Sequence, residues 1–571
     1  MYKKILVFLI TLLFSSQIFS QSNYPKNEFC PPLDIKLYLS GNFAELRSNH
    51  FHSGVDIRTQ GIEGKNIISI YDGYVSRIKI SPWGFGNALY ITHTNGYTSV
   101  YAHLQQFSPE IAQYIENKQY ERQEFAMNLY PNPDEFPVKK GQIVAISGNS
   151  GRSFGPHLHF EIRNKDDEPV DPMLFGFDVR DDIKPEFKKL AIYPADDTSF
   201  VNYKNHKKIL EVSGSNGRFT CSSIINVHGS IYFGIEAFDY LNFVGSRNAV
   251  SEVELYVDDN QVYQHKIETF SFYDDKYINS FVDYPERLAN SRIQRSYVEP
   301  NNKLPFYKDV KNRGIIVFND NEIHKLKYII KDTYGNTSIL DFKVKSSSDI
   351  DKNIKYKNIP TDYQMLMSYK NENIFMKDEI RIMIHKHCLY DNLYFKFSSN
   401  SSPSGAYSKI YSVHNELTPL HRPITVSIDG KNVPENLQDK ALIVRVDRKG
   451  KKHSVGGRWI NGFLSAKTSY FGKFYITTDQ TAPTIRAINI SENSNMSSKK
   501  TIEFKVSDNL AGINEYNGYI DGEWILFKYD GKSGKFHHEF DHRTTKGKHK
   551  LVFEVSDNVG NVAKYEVDFR Y

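Results

Sequence analysis

Cysteine is scarce in this chain, and its scarcity limits the architectures open to it. Only Cys30, Cys221 and Cys388 occur among 571 residues. An odd and widely spaced set is not a disulfide framework, and at most one bridge could form. A small disulfide-stapled fold is therefore excluded, while large β-sandwiches, which need no such bridges, remain compatible with the composition.

A strong excess of charge is also missing. The net charge is +5, and it falls to +3 without the first twenty residues, because Lys3 and Lys4 leave with them. No basic stripe and no aromatic-interleaved recognition motif accompanies this weak, dispersed charge. The sequence therefore argues against a nucleic-acid partner.

Long apolar runs are absent except near the N-terminus. Lys3 and Lys4 precede an apolar run over residues 5–14, and serine residues follow it. This order is typical of a secretory signal peptide, and the run has only about half of the roughly 20 residues that span a bilayer. We predict a signal peptide over residues 1–20, with an uncleaved membrane anchor as the alternative. The mature chain would then be exported to the periplasm, the cell surface or the medium, with no stable transmembrane segment.

The residues that are abundant favour β-structure. Tyr and Phe number 38 each, and hydrophobic residues make up 40% of the chain against 24% charged residues. Aromatic residues are enriched in strands, and this balance of apolar and charged residues is that of a globular protein. At this length, three or four domains are expected, and we predict a mainly β fold.

Local patterns place strands in the first third of the chain. Residues 87–93 and 97–103 are short β-rich runs, and Thr94-Asn95-Gly96 between them is a hairpin signal. His157–Arg163 alternates between apolar and polar residues. Such alternation predicts a half-buried strand whose polar side chains share one face.

The character of the chain changes near Asp181–Pro185, which reads as a domain boundary. Beyond it, strand-like runs recur, and segments 331–336 and 556–561 echo each other with Asp and Gly-Asn turn residues. The predicted organisation is an N-terminal domain over residues 21–180, followed by immunoglobulin-like β-sandwich modules over residues 185–347, 355–480 and 482–571.

The N-terminal domain contains a long connection over about residues 105–137. Its mixture of charged and apolar residues predicts one or two short helices. Connections of this length are uncommon in compact domains and often cover a functional site. A solvated decoration of the surface is the alternative.

The chemistry of the chain concentrates in three segments of this domain. His52 and Asp56 lie in His-Ser-Gly-Val-Asp, and His103 ends Val-Tyr-Ala-His. His157 and His159 are two residues apart on a predicted strand, so both rings project from one face. Zinc accepts imidazole nitrogen and carboxylate oxygen, and a catalytic zinc keeps one position open for water. One imidazole and one carboxylate from the first segment, with one imidazole from the strand, form a three-ligand set.

Glycine residues accompany these segments. Gly54 separates the histidine and the aspartate of the first motif, and we expect it to let the backbone pass close to a metal ion. A glycine-rich stretch, Ser147-Gly148-Asn149-Ser150-Gly151, leads towards the histidine-bearing strand. A surface strand that carries two histidines by chance would not explain this glycine-rich approach.

In this order and spacing, the motifs resemble those of the lysostaphin-type, LytM-like zinc endopeptidases, which cleave peptidoglycan peptides. The resemblance covers about residues 42–175. It includes His-Ser-Gly-Val-Asp, Asp72-Gly73, Gly86-Asn87, Tyr101-Ala102-His103-Leu104, His157-Leu158-His159-Phe160-Glu161 and Val170-Asp171-Pro172.

The resemblance implies roles for five residues. Zinc binding, with one ion, falls to His52, Asp56 and His159, and catalysis to His103 and His157. The implied fold is a mostly antiparallel β-sheet of the duplicated-hybrid-motif type with the zinc in an open groove. All five positions are intact, so the site itself does not indicate a degenerate member.

The implied activity is hydrolysis of amide bonds in peptidoglycan peptide cross-links, in wall remodelling or lysis. Coordination to zinc lowers the pKa of water from 15.7 towards roughly 7 and polarises the scissile carbonyl. His103 and His157 would orient the water and accept its proton. The sequence leaves open which of the two histidines is the base.

Two other functions stay open at this stage. The protein could be a non-catalytic envelope scaffold, or an activator of another wall hydrolase, with its groove blocked by the long insert. It could also be a peptidase for proteins other than the wall. The C-terminal modules show no catalytic arrangement, so an envelope protein that binds them is a candidate partner.

The remaining histidines give weaker signals. His50 lies two residues from His52 and competes with it as a ligand, but the family spacing favours His52. His93 ends a predicted strand, and we interpret it as structural. His385 and His387 form a second His-x-His without a second ligand pair, so a structural or surface role is predicted for them.

Overall fold

The computed structural model describes residues 24–242, 245–347 and 362–571. These residues are mainly β-structure, which confirms the predicted fold class. The signal peptide predicted over residues 1–20 lies outside the described residues. Among the helices that are described, none combines the length and the hydrophobicity needed to cross a bilayer.

The N-terminal domain contains two antiparallel sheets that share one apolar core. Its strands are β1 (Leu39–Gly41), β2 (Val55–Arg58), β3 (Asn66–Ile68), β4 (Gly73–Ile80), β5 (Ala88–His93), β6 (Thr98–Ala102), β7 (Leu104–Phe107), β8 (Met127–Leu129), β9 (Pro137–Val138), β10 (Ile143–Ser147), β11 (His157–Arg163) and β12 (Pro169–Val170). The larger sheet has the order β1-β2-β11-β6-β5-β4-β8, with β12 beside β11 and β9 beside β4. The smaller sheet has the order β3-β10-β7. β5 and β6 form the predicted hairpin.

The histidine-bearing strand β11 lies in the middle of the larger sheet, between β2 and β6. The prediction of a half-buried strand is wrong, because every residue from Leu158 to Arg163 is buried. The apolar residues face the core, as the alternation requires. The polar face is covered as well, because Glu161 is 0% exposed and lies among other charged side chains. A buried row of polar groups is costly unless every member has a partner, so this face indicates a built site.

The long connection contains one helix, α1 (Pro109–Arg122). Proline occupies its first turn, where a missing N–H costs nothing. Ile111, Ile115 and Gln119 recur every four residues and are its buried side chains. The helix ends at Gln123, which adopts a left-handed conformation and donates from its N–H to the Gln119 carbonyl. Strands β8 and β9 then return the chain to the larger sheet.

The second region forms a thirteen-stranded assembly in which the long strand β18 pairs with partners on both sides. Its strands are β13 (Glu186–Pro194), β14 (Phe200–Val201), β15 (Lys208–Glu211), β16 (Ser213–Ser215), β17 (Arg218–Thr220), β18 (Ile225–Phe238), β19 (Glu252–Val257), β20 (Asn260–Lys266), β21 (Gln294–Arg295), β22 (Tyr307–Val310), β23 (Ile316–Phe318), β24 (Ile323–Lys331) and β25 (Thr337–Ser346). Two short helices, α2 (Ile278–Phe281) and α3 (Tyr284–Leu288), lie between β20 and β21.

The third region packs two five-stranded sheets over its own apolar core. Its strands are β26 (Met365–Met367), β27 (Asn373–Lys377), β28 (Ile380–Ile384), β29 (Leu393–Phe395), β30 (Phe397–Asn400), β31 (Ile410–Val413), β32 (Ile424–Asp429), β33 (Ala441–Val446), β34 (Lys452–Gly456), β35 (Arg458–Ile460), β36 (Phe463–Thr468) and β37 (Gly472–Thr478). The sheet orders are β27-β28-β32-β36-β35 and β30-β31-β37-β33-β34, and β26 pairs with β29.

The fourth region is a sandwich of a four-stranded and a five-stranded sheet around a further core. Its strands are β38 (Thr484–Ala487), β39 (Ser494–Asn495), β40 (Thr501–Ser507), β41 (Ile513–Ile520), β42 (Glu523–Ile525), β43 (Lys528–Asp530), β44 (Lys535–Glu539), β45 (Lys548–Asp557) and β46 (Val562–Arg570). Short 3-10 turns elsewhere in the chain span Pro172–Phe175, Asp275–Tyr277, Lys311–Gly314 and Glu435–Lys440.

An aromatic cluster joins the N-terminal domain to the second region. Phe51 is fully buried, and its ring lies 5.5 Å from Phe270, 5.8 Å from Phe281 and 5.6 Å from Phe306, measured between ring centroids. Phe51 directly precedes His52. The apolar contact with the second region therefore fixes the backbone that presents the first histidine of the predicted site.

The fourth region contacts the helical insert of the N-terminal domain. The Tyr120 ring on α1 meets Trp524 edge-on at 5.3 Å between centroids, and the Arg543 guanidinium lies 3.7 Å above the same ring. Arg543 also pairs with Glu116 at 2.7 Å. The insert thus packs between two domains, which explains why a mixed charged and apolar sequence forms a stable helix there.

The cysteines are free in the described residues. Cys221 and Cys388 are buried, and Cys30 is partly buried. No disulfide contributes to stability, so each region depends on its own apolar core.

Candidate metal centre

Two strands bring the first pair of site residues together. Asp56 on β2 is directly opposite His159 on β11 in the antiparallel register. Directly opposite residues project from the same face of a sheet. Although 103 residues separate them in sequence, the Asp56 Oδ1 and His159 Nδ1 atoms are 3.1 Å apart. The strand pairing alone accounts for this proximity.

The loop before β2 adds the third side chain. His52 Nε2 lies 3.0 Å from Asp56 Oδ1 and 3.0 Å from His159 Nδ1. Three donor atoms therefore surround one point. Ligands about 2.0–2.1 Å from a tetrahedral zinc ion stand roughly 3.3 Å from one another, so the observed spacing fits such an ion. His52, Asp56 and His159 are all buried.

Both histidines of this set are held by their outer nitrogens. His52 Nδ1 lies 2.7 Å from the Asn42 carbonyl oxygen, and His159 Nε2 lies 2.9 Å from Glu161 Oε1. Each acceptor requires an N–H on the outer nitrogen, which leaves the lone pair of the inner nitrogen directed at the cluster. A metal-bound histidine is usually fixed in this way by a carbonyl or a carboxylate.

Glu161 continues the polar row along β11 and is held by Arg163. Arg163 donates to Glu161 Oε2 from Nε at 2.7 Å and from Nη2 at 2.6 Å. Burial alone would raise the pKa of Glu161, but Arg163 and His159 outweigh burial and lower it to about 2. Ser53 donates a further hydrogen bond to Glu161. The carboxylate is therefore ionised and fully satisfied, and it orients the ring of His159.

Asp56 is ionised as well. Burial opposes its charge, but His52, His157 and His159 hold its pKa well below the usual range. Its second oxygen, Oδ2, accepts a 2.8 Å hydrogen bond from Arg47 Nη2. One oxygen thus faces the cluster, and the other is occupied by an arginine.

Two further histidines flank the three donors. His103 Nδ1 lies 2.8 Å from the Ser150 carbonyl oxygen, and His157 Nδ1 lies 2.8 Å from the Gly155 carbonyl oxygen. Both Nδ1 atoms donate to these carbonyls, so the Nε2 atoms carry the free lone pairs. The two ring centroids are 4.8 Å apart, and His157 Nε2 is 3.5 Å from Asp56 Oδ1.

His103 adopts an uncommon backbone conformation. It lies between β6 and β7 with a φ of 61°, in the left-handed region that few non-glycine residues occupy. Backbone strain of this kind persists where the surrounding structure enforces it, and it is concentrated at functional sites. Burial, with the neighbouring His159 and His157, lowers the pKa of His103 to about 3, so the ring is neutral at physiological pH.

The sequence comparisons agree with this geometry. Residues 50–120 and 134–172 match peptidase family M23, and residues 364–479 match the Zu5-like domain. The first match spans all five residues of the centre. The N-terminal domain therefore matches peptidase family M23, and we refer to it as the M23 domain. The match is interrupted over residues 121–133, which lie in the helical insert of this M23 domain.

Curated relatives match about a fifth of this chain. The peptidoglycan DD-endopeptidase ShyB of Vibrio cholerae is 33% identical over 124 residues, which are 21% of this chain and 22% of that protein. The murein hydrolase activator NlpD of Escherichia coli is 32% identical over 124 residues, which are 22% of this chain and 26% of that protein. The chain thus spans about a quarter of the length of the curated relatives it matches.

A solved structure gives a similar partial match. The catalytic domain of a mutant of the prophage-encoded M23 protein EnpA of Enterococcus faecalis is 25% identical, with a TM-score of 0.19. The alignment covers 27% of this chain and 96% of that chain.

The M23 domain brings together every site residue named from the sequence. His50 lies outside the cluster, is exposed, and contacts the neighbouring Asn49. His93 is buried and pairs with Ser99 at 2.7 Å. His385 is half-exposed and pairs with Glu372.

The structure gives Gly54 a role that the sequence did not predict. A Cβ atom at this position would lie 2.2 Å from the Phe160 carbonyl oxygen of β11, so Gly54 is required where the loop crosses a neighbouring strand. The short distance between His52 and Asp56 follows from this crossing.

Several residues that shape the centre carry no sequence signal. Arg47 contacts the rear oxygen of Asp56, and Glu45 pairs with Arg47 at 3.0 Å. Phe85 stacks against His159 with ring centroids 4.8 Å apart. Each lies in an irregular loop, where periodicity gives no information. Glu161 lies within the strand motif that the sequence identified. Its contact with His159 depends on the side-chain rotamers of both residues, which the sequence does not give.

The buried ion pair between Glu161 and Arg163 on β11 predicts the effect of the substitution Glu161→Gln. The substitution removes the counter-charge of the buried Arg163, so we expect the free energy of unfolding of the M23 domain to fall by about 3 kcal/mol. Denaturant unfolding followed by tryptophan fluorescence measures this loss. The double variant Glu161→Gln/Arg163→Met removes both charges and should recover most of it. Equal stability of wild type and Glu161→Gln would contradict the account of this ion pair.

Proposed function

We propose that the protein is an exported zinc metalloendopeptidase that hydrolyses amide bonds in peptidoglycan peptide cross-links. The observation that carries the proposal is the convergence of His52 Nε2, Asp56 Oδ1 and His159 Nδ1, with mutual distances of 3.0 to 3.1 Å. Two more imidazoles, those of His103 and His157, stand beside these donors. Together they provide a metal site and two proton-transfer groups.

The donor set supports zinc as the metal. Two imidazole nitrogens and one carboxylate oxygen are the ligands of many catalytic zinc sites, with the fourth position left open. Calcium and magnesium prefer an all-oxygen environment. When bound, zinc supplies a Lewis acid and water of lowered pKa. His52, Asp56 and His159 would hold it.

His103 and His157 are placed to move the protons of the reaction. Each donates from Nδ1 to a backbone carbonyl, which fixes the tautomer and leaves Nε2 as the basic atom. A proton taken up at Nε2 produces an imidazolium whose Nδ1–H bond is kept. The nearby Asp56 carboxylate stabilises that positive charge, and the same proton is then available for the amine that leaves.

Peptidoglycan is the proposed substrate because the M23 domain aligns with ShyB, which is named as a peptidoglycan DD-endopeptidase. A wall substrate requires export, and the predicted signal peptide over residues 1–20 supports it. We further propose that residues 185–347, 355–480 and 482–571 act as separate sandwich modules. These modules would position the M23 domain or bind an envelope protein.

The alternative is an envelope scaffold or activator with its groove blocked by the insert. The alignment with NlpD, which is named as a murein hydrolase activator, favours it. The contacts of the insert favour the enzyme instead. Tyr120 and Glu116 of helix α1 make polar contacts with the fourth region, and within the described residues no side chain of the helix hydrogen-bonds to the five residues of the centre. A scaffold also has no need of a complete ligand set.

Single substitutions should separate metal ligands from proton-transfer residues. His52→Ala, Asp56→Ala and His159→Ala should each lose both zinc and activity, because each removes a donor. His103→Ala and His157→Ala should keep zinc and lose roughly 10²- to 10⁴-fold in kcat, the usual contribution of a general acid or base. Elemental analysis of the purified chain and peptide hydrolysis measure the two effects. His50→Ala, two residues from His52, is the matched control and should change neither.

Digestion of purified peptidoglycan tests the reaction itself. The mature protein should release new free amines from cross-linked muropeptides, and mass spectrometry should show shortened cross-links. His159→Ala and a zinc-depleted sample should release none, with activity restored by added zinc. Wall binding without cleavage by the wild type would support the scaffold. Cleavage of unrelated peptides in preference to muropeptides would support a peptidase for other proteins.

A further inference from the structure

Three aspartate carboxyl groups converge where the chain leaves the M23 domain. Asp181 lies in the connection to the second region, Asp239 follows β18, and Asp332 follows β24. One carboxylate oxygen from each lies within 4.8 Å of the other two. Among the described residues, no ion pair joins any of the three to Lys, Arg or His. The cluster therefore has no protein counter-ion among the described residues.

A separate buried side chain belongs to a residue that is paired with one member of the cluster. Asn248 is 1% exposed, and neither its Oδ1 nor its Nδ2 has a hydrogen-bond partner. Its backbone exchanges two hydrogen bonds with Asp239, with N–O distances of 2.9 and 3.0 Å. Residues paired in this way project their side chains from the same side of the ladder, so the Asn248 amide is directed to the side that carries the Asp239 carboxylate. A buried amide with both polar atoms unsatisfied is rare and indicates a missing partner.

Asp239 has an unsatisfied atom of its own. It is 2% exposed, and its Oδ1 has no hydrogen-bond partner. Burial and repulsion from Asp181 and Asp332 raise its pKa to about 8. Burial likewise raises the pKa of Asp181 to about 7, with Asp332 contributing. Near neutral pH these carboxyl groups therefore retain protons, and a bound cation would displace those protons.

The space beside the cluster suits one small ion or water. A cavity of about 10 Å³ is lined by two of the three aspartates, Asp239 and Asp332, and by Asn42, Asp171 and Tyr334. A cavity of that volume can hold roughly one water molecule. Carboxylates and an amide oxygen are hard donors, and Ca²⁺ takes 6–8 oxygen ligands in flexible geometry, whereas Mg²⁺ retains several waters in a strict octahedron.

We propose that Asp181, Asp239, Asp332 and Asn248 form a Ca²⁺ site at the junction between the M23 domain and the second region. The ion neutralises the carboxylates and uses the Asn248 amide oxygen as a further ligand. It ties the connecting segment at Asp181 to the ends of β18 and β24, which stiffens the exit from the M23 domain.

The junction is also connected to the zinc centre. Asn42 Nδ2 donates to the Ala249 carbonyl at 2.7 Å, and the Ala249 N–H donates to Asn42 Oδ1 at 2.9 Å. Ala249 directly follows Asn248. The Asn42 carbonyl in turn accepts the 2.7 Å bond from His52. An ion that orders Asn248 therefore orders the residue that holds a proposed zinc ligand.

A second aspartate triad in the fourth region provides an internal comparison. Asp479, Asp508 and Asp557 also place one oxygen each within 4.8 Å. The same framework recurs: Asn561 Nδ2 donates to the Asp479 carbonyl at 2.9 Å, as Asn336 Nδ2 donates to the Asp181 carbonyl at 3.2 Å. No buried unsatisfied amide comparable to Asn248 faces this triad among the described residues, so we assign no ion to it.

Thermal unfolding of the full chain, with zinc held at one saturating concentration, tests the proposal. Ca²⁺ should raise the unfolding midpoint of the wild type by about 5 °C at a concentration well above the dissociation constant. Asp239→Asn should be at least as stable as the wild type without Ca²⁺, because it removes a buried repulsion, and its Ca²⁺ response should disappear. Asn248→Ala should weaken the response. Asp508→Asn is the matched control and should keep it.

Equilibrium dialysis with radioactive Ca²⁺ counts the ions directly. Wild type should bind one more ion than Asp239→Asn. Equal binding by the two chains, or an equal midpoint shift, would overturn the site. A response to Mg²⁺ as large as the response to Ca²⁺ would overturn the choice of ion. Neither readout depends on peptidase activity, so the result is independent of the proposed function.

Discussion

The pairing of β2 with β11 is the constraint on which the M23 domain depends. It sets Asp56 directly opposite His159 and closes a gap of 103 residues in sequence to 3.1 Å between donor atoms. Because the side-chain period of a strand is two, a slip of one residue would turn one of the pair to the opposite face. Gly54 protects this register, since only a residue without Cβ can cross the Phe160 carbonyl where it does.

The polar centre also depends on domains beyond the M23 fold. Phe51 anchors the His52 loop in an aromatic cluster of the second region, and Asn42 links His52 to Ala249. On the opposite side, Lys532 of the fourth region donates to the carbonyl of Asn149, next to the residue that holds His103. His52 and the backbone beside the His103 contact are therefore supported from two directions, by the second and the fourth regions.

Much of the centre could be predicted from sequence, because motif order and strand periodicity are local properties. His157 and His159 had to share a face, and His52 with Asp56 had to supply the other donors. The burial of the polar face of β11 could not be predicted. The contacts of Glu161 and Arg163 depend on the side-chain rotamers that these residues adopt, and one partner, Ser53, lies in a distant loop. Arg47 and Phe85 lie in irregular loops without periodicity. The docking of α1 against Trp524 joins residues some 400 positions apart, which no local pattern encodes.

We propose that one metal ion shares the three donors His52, Asp56 and His159. Anomalous X-ray diffraction at the zinc absorption edge, on crystals of the purified full chain, locates such an ion directly. We expect one strong peak at about 2.0–2.2 Å from His52 Nε2, Asp56 Oδ1 and His159 Nδ1, with His103 and His157 outside the coordination sphere. A peak coordinated by His103 or His157 instead, or no peak at these donors in zinc-supplemented crystals, would contradict it.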